Sequence, residues 1–208
     1  NTSSPPLYPL LMYILSSCRI HDYRVTVDGQ TRFEHPDHSA AADDFLAAAF
    51  RSFGIDYRKF YKMDTLSRLG FLAAELLLDP ADRDRPKEDM GIVFVNSAAS
   101  LEADRTYQRT IPRDADFFPS PAEFVYTLPN IVTGEIAIRH KIQGETMFYV
   151  LPASRPAQLC HLIDDTARDA GLSRVLTGRL DVDTDCLDAC VMLCASTPSP
   201  AGLRLTSE

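Results

Sequence analysis

Cys160 and His161 stand side by side, and a thiolate beside an imidazolium is the usual form of an activated cysteine nucleophile. The surrounding residues have the periodicity of an amphipathic helix, in which neighbours project about 100° apart. The two side chains are therefore not expected to meet. Ser154 is a second candidate, but a nucleophilic serine needs a positioned base and a sharp turn, and Pro152 and Arg155 supply neither. Cys18, Cys160, Cys186, Cys190 and Cys194 are odd in number and contain no C-x-x-C pair, so neither a disulfide framework nor a zinc site is indicated. The last three recur every fourth residue and would share one face of a helix, yet Val191, Met192 and Leu193 between them read as a buried strand. Reduced thiols, no bound metal and no cofactor are the expectation.

Other chemistry-bearing residues are dispersed. His21, His35, His38, His140 and His161 form no ligand or catalytic spacing, and Glu75, Glu102, Asp104, Glu123 and Glu135 specify no acid–base pair. The glycine-rich phosphate loops, G-x-S-x-G and H-E-x-x-H are all absent. Arg51, Arg58, Lys59, Lys62 and Arg68, interleaved with Phe60 and Tyr61, form a basic aromatic stretch that either receives an anionic partner or is a solvated helix flank. The formal charge of −8 argues against a nucleic-acid partner. No apolar run approaches the roughly twenty residues that span a bilayer. The first six residues lack the features of a secretory signal, so the expected location is the cytoplasm.

These residues must be positioned by an alternation of strands and helices. Residues 10–15 and 23–27 read as strands, the second ending at the turn dipeptide Asp28-Gly29. Helical spacing covers residues 39–53, ended by Gly54, and 64–78, with Asp64 in the capping position. Residues 79–89 read as a loop, 91–95 as a strand covered on both faces, and 100–108 as helical. A proline-punctuated loop at 112–121 leads to a helix in which Thr127 is expected to cap and Pro129 to occupy the first turn. Residues 147–151, 174–178 and 189–195 read as strands, and 155–170 as a helix closed by Gly171. With 208 residues, 45% of them apolar, this pattern implies one α/β domain over 1–208, with mixed, mostly parallel strands between helical layers and antiparallel additions near the N-terminus. Residues 198–208 are expected to fray.

The segment from Phe118 to Ile138, with Pro129-Asn130 ahead of Gly134, Ile136 and Ile138, followed by Ile142-Gln143-Gly144, resembles the helix entry of β-ketoacyl synthases. The resemblance implies half of a three-layer α/β/α thiolase-like fold. It also implies a subunit interface near Thr127, Pro129, Asn130, Gly134 and Ile138 and near Phe148, Tyr149 and Leu151 of the following strand. Gly134 is expected to let its helix approach a neighbour closely, with the isoleucines filling the space beneath.

Family members carry the nucleophilic cysteine after that strand. Counted without gaps from Gly144, the position here is Ala153, followed by Ser154. A methyl group cannot attack a thioester, and the family's catalytic histidines belong to a second half that this chain does not contain. The resemblance therefore implies a non-catalytic subunit like a truncated chain length factor. Its partner would be a full-length β-ketoacyl synthase, or a second copy in a homodimer, with an acyl carrier protein as a further partner, in bacterial fatty-acid, polyketide or aryl-polyene-type biosynthesis. The rival expectations are a small acyl-thioester transferase or hydrolase using Ser154 or Cys160, and a standalone carrier-binding module.

Overall fold

The computed structural model describes residues 12–111, 120–151, 156–184, 186–198 and 203–204. Three antiparallel strands open the chain: β1 (Tyr13–His21), β2 (Arg24–Val27) and β3 (Gln30–Glu34). Asp28 and Gly29, at φ +50° and +74°, make the expected turn between β2 and β3, since two left-handed residues match the twist of a tight hairpin. Helix α1 (Ala42–Ser52) and a 3-10 turn (Arg58–Lys62) lead into α2 (Thr65–Leu77), where the Asp64 carboxylate caps by accepting from the Ser67 N–H at 3.1 Å. Strand β4 (Met90–Asn96) follows, then α3 (Leu101–Arg109), α4 (Pro121–Val125), α5 (Ile131–His140) and β5 (Thr146–Val150). Helix α6 (Pro156–Asp169), β6 (Arg174–Asp183), β7 (Cys186–Ala195) and β8 (Leu203–Arg204) complete the order.

The strands form one mixed sheet in the order β3-β2-β1-β7-β6-β4-β5, with β8 added to β1. Its β6-β4-β5 part is parallel and its other pairings are antiparallel. Strand β4 is buried along its whole length because both its faces are covered. Ile92 and Phe94 join the larger apolar cluster, with Phe45 of α1, Leu69 and Phe71 of α2 and Ile136 of α5, while Val93 joins Ile163 and Ala167 of α6 on the opposite face. The result is the mixed sheet and α/β/α layering expected from the sequence, although antiparallel pairings outnumber the parallel ones, which β4 alone makes, with β5 and β6. Among the described residues no helix is long and apolar enough to cross a membrane.

Several expectations need correction. The strand read at 10–15, whose first two residues lie outside the described ones, runs from Tyr13 to His21, and those read at 174–178 and 189–195 lengthen into a hairpin of two ten-residue strands. The added residues are polar at alternate positions, as suits an antiparallel sheet with one wet face; Arg19 meets Asp188 across β1 and β7 at 3.1 Å. Within the tail expected to fray, Leu203 and Arg204 pair with Ile14 and Tyr13. Thr127 does not cap α5: its hydroxyl donates back to the Phe124 carbonyl at 2.7 Å, and Pro129 lies ahead of the helix, which begins after Asn130. The cap-and-proline pair is Ser120-Pro121 at α4.

Gly134 does not mediate close packing either, since a Cβ there would meet nothing within 4 Å. The close approach of α2 and α5 is made by Gly70, where a Cβ would stand 2.5 Å from Val132 Cγ2 and 2.8 Å from Leu180 Cδ1. Gly70→Ala is expected to lower stability by about 1–3 kcal/mol through overpacking, read as a lower urea midpoint at unchanged m-value, whereas Gly134→Ala is expected to be tolerated.

Candidate functional site

The two edges of the sheet are built differently. Strand β3 presents Gln30, Thr31, Arg32 and Glu34 to solvent, and charged, polar residues discourage further strand pairing. Strand β5 is Thr146-Met147-Phe148-Tyr149-Val150, without a charge or a proline. It pairs in parallel with β4, and among the described residues no strand covers its other side. Phe148 packs toward the α2/α5 face and Tyr149 toward the α6 face, and both are only half-buried. Val150 is 48% exposed. Such an edge offers unpaired N–H and C=O groups flanked by apolar side chains, the requirement for adding a strand from another chain.

Helix α5 flanks this edge with charged as well as apolar residues turned inward. Its inward arc holds Glu135, Arg139 and His140 beside Val132 and Ile136, while its outward side carries Ile131, Gly134 and Ile138, the last 63% exposed. Phe124, Val125 and Leu128, just ahead of it in the chain, are exposed as well. Of the residues singled out for contact, Gly134 and Ile138 thus lie on the open side of α5, Phe148 and Tyr149 on the free edge, and Thr127, Pro129 and Asn130 in the segment leading into the helix.

The inward charges converge on Glu75, a carboxylate of α2 whose side chain is only 1% exposed. Arg139 Nε donates to its Oε1 at 3.0 Å, His140 Nε2 lies 2.9 Å from the same oxygen, and Arg83 Nη2 donates to Oε2 at 3.3 Å. Burial disfavours the charged carboxylate, but His140 and Arg139 outweigh it and hold the group below the usual carboxylate range. The Arg139 guanidinium also lies 4.6 Å from the centre of the Tyr57 ring, and Lys59 Nζ lies 2.7 Å from Glu135 Oε2. Lys87, itself buried, donates to the carbonyls of Arg85 and His140 at 2.9 and 2.8 Å. A signal for this cluster was present in the sequence: Glu75 is the one charge in the apolar run 71–78, and a buried carboxylate requires partners.

At the end of β5 the Leu151 N–H donates to the Asn96 carbonyl at 2.8 Å. The Asn96 side chain in turn brackets Ala99, which has φ +52°, through contacts of 2.8 and 2.9 Å. Ala153 and Ser154, which follow, lie outside the described residues. Cys160 sits half-buried on α6 and His161 is exposed. Burial, and after it Asp164, pushes the Cys160 thiol up, opposite to what a nucleophile needs. Cys18 and Cys194 are pushed up to about 12 by burial. Cys186, Cys190 and Cys194 share a strand rather than a helix. No group of three or more His, Cys, Asp or Glu suited to a metal occurs among the described residues. A cleft of about 270 Å³ between the start of α2, α3 and α4, lined by Asp64, Ser100, Glu123 and Tyr126 among others, contains neither a cysteine nor a histidine.

No protein-family model matches the sequence, and no curated protein matches it. Solved structures do match in fold. The ishigamide ketosynthase/chain length factor superposes with a TM-score of 0.58 at 15% identity, over 89% of this chain and 62% of that one. A ketosynthase in complex with its chain length factor from Xenorhabdus doucetiae gives 0.55 at 12% identity, over 89% of this chain and 79% of that one. A type II polyketide synthase acyl-carrier protein in complex with its ketosynthase gives 0.57 at 11% identity, over 89% and 62%. The chain therefore has the thiolase-like fold of ketosynthases and chain length factors, and it spans less than two thirds of the length of two of these three.

Glu75→Gln is expected to cost about 3–5 kcal/mol near neutral pH, because it leaves buried cations uncompensated. The folded carboxyl is depressed relative to its unfolded value of about 4.3, so the wild-type advantage is complete above that value and lost as pH falls through the lower folded one. Urea unfolding of both proteins across the acid range should show their midpoints converging on acidification; a gap independent of pH would contradict the assignment.

Proposed function

We propose that this chain is a non-catalytic subunit of the chain-length-factor type, which pairs with a full-length, active β-ketoacyl synthase in bacterial fatty-acid, polyketide or aryl-polyene-type biosynthesis. The observation that carries this reading is the uncharged edge of β5, free of a further strand among the described residues, beside a helix with Ile138 exposed on its outer side, on a ketosynthase-like fold. A strand of the synthase adds to β5, and Ile131, Gly134 and Ile138 receive apolar side chains of the partner. Gly134 lets that surface come close, since nothing stands over it within the chain.

Condensation needs a thiolate to take the acyl group and oxyanion donors to stabilise the decarboxylating unit. With Ala153 at the nucleophile position, acyl loading falls to the partner, and this subunit contributes the shape of the wall against which the growing chain lies. The rival enzyme reading is weakened by the raised Cys160 thiol. An acyl carrier protein is a further partner. Arg51, Arg58, Lys59 and Lys62 are exposed around Tyr61 at one corner of the domain, where an acidic carrier surface would be attracted and salt would screen it.

Co-expression with the synthase encoded nearby, followed by size exclusion and calorimetry, is expected to give a one-to-one complex. Ile138→Asp and Val150→Lys should each weaken it at least about tenfold, close to 1.4 kcal/mol, with the thermal midpoint of the isolated chain unchanged. A synthase that ignores this chain, homodimers that never exchange with it, or turnover of an acyl thioester by the chain alone, abolished in Ser154→Ala or Cys160→Ala, would each overturn the reading.

A further inference from the structure

Helix α5 carries apolar residues on both sides, so hydrophobic burial alone does not select its roll sharply. Val132 and Ile136 are buried in the main apolar cluster with Ala137 half-buried against it, but Thr133, Glu135 and His140 are buried on the same arc beside Arg139, whereas Ile131 and Gly134 are half-buried and Ile138 is exposed. Rolling the helix about its axis would carry the charged groups to water and exchange Val132 and Ile136 for Ile131 and Ile138, with little net change in buried apolar area. What opposes the roll is polar. Glu75 holds Arg139 at 3.0 Å and His140 at 2.9 Å, Asp56 O accepts from Arg139 at 3.3 Å, Lys59 stands 2.7 Å from Glu135, and the Lys87 ammonium ties down the His140 carbonyl.

We propose that Glu75 and the cations gathered on it are positioning residues: they fix the roll of α5 so that its apolar side stays presented on the surface. The purpose given to that side rests on the reading of α5 as the partner-docking face; the roll itself does not. Buried ion clusters are a poor source of net stability, but they discriminate sharply between alternative packings, because an arrangement that leaves one charge unpaired is strongly disfavoured. Here the discrimination is between an outward and an inward Ile138. The same cluster explains why a helix with isoleucines on both sides adopts one orientation.

The test needs no partner. Thiols are introduced by Ile138→Cys or by Ile136→Cys in the full chain, and modification by N-ethylmaleimide is followed by peptide mass spectrometry, with the native cysteines as internal references. In the otherwise native protein, position 138 should react fast and position 136 slowly. Adding Glu75→Gln should slow position 138 and speed position 136, each at least about tenfold, since the unpaired Arg139 and His140 turn outward. Adding instead Glu75→Leu, Arg139→Leu and His140→Leu together, which makes the inward arc apolar, should restore the native pattern. A helix that is merely loosened would speed both positions; that result, or no change at either, overturns the proposal. If Glu75→Gln does not fold, Glu75→Asp, which keeps the charge one methylene short, is read by the same criteria. An exchange of reactivity without any loss of synthase binding would leave the positioning role standing and remove the docking role of α5.

Discussion

A single buried carboxylate organises the working surface of this chain. Glu75 lies in the most apolar stretch of α2, where an unpaired charge would be intolerable, and Arg139, His140 and Arg83 converge on it. Satisfying Glu75 brings the end of α5 against α2 with its charges inward, and Gly70 makes room for the contact by admitting Val132. The opposite side of α5 follows: Ile138 is exposed, with Ile131 and Gly134 half-buried, beside a strand that no other strand covers among the described residues. The interior electrostatics thus determine the exterior chemistry.

The sheet repeats this asymmetry at its two ends. One edge is closed by charge, with Arg24 and Glu34 paired at 2.9 Å across β2 and β3, while the other carries five uncharged residues. The wet face of the β1–β7 region is likewise finished with ion pairs, Arg19 with Asp188 among them. Among the described residues, exposed large apolar side chains gather around β5, α5 and the turn before it, with Leu15, Tyr61 and Leu101 exposed elsewhere, and that gathering is what the proposed pairing with a synthase would use. The thiols point the same way: burial pushes those of Cys18 and Cys194 up to about 12 and raises that of Cys160 as well.

Much of this was legible in the sequence wherever hydrophobic burial alone decides structure. Asp64 as a cap, the length of α2, the doubly covered strand β4 and Gly171 closing the helix before β6 all follow from spacing and punctuation. The end of β6 and the start of β7 were not legible, because Arg179, Asp181, Asp183 and Asp188 break the apolar run. Helix α5 was misread for a deeper reason. Ile136 lies in the interior as its spacing demands, but Ile138 is exposed and Gly134 makes no close contact, because the partners of Glu135, Arg139 and His140 lie on other elements, at Lys59 and Glu75, and no local pattern reveals them. Ser120-Pro121 and Thr127-x-Pro129 are equally good openings by composition, and only the fold distinguishes them. The same long-range pairing that defeated the packing assignment leaves Gly134 and Ile138 on the surface, where contact with a partner can use them.

The most direct measurement is hydrogen–deuterium exchange on the chain with and without an active ketosynthase. The account expects new protection at the amides of residues 146–150, with burial of the peptide around Ile138, and none at residues 30–34 on the opposite edge. Protection at β3 instead, or an unchanged β5 in a complex that demonstrably forms, would contradict it.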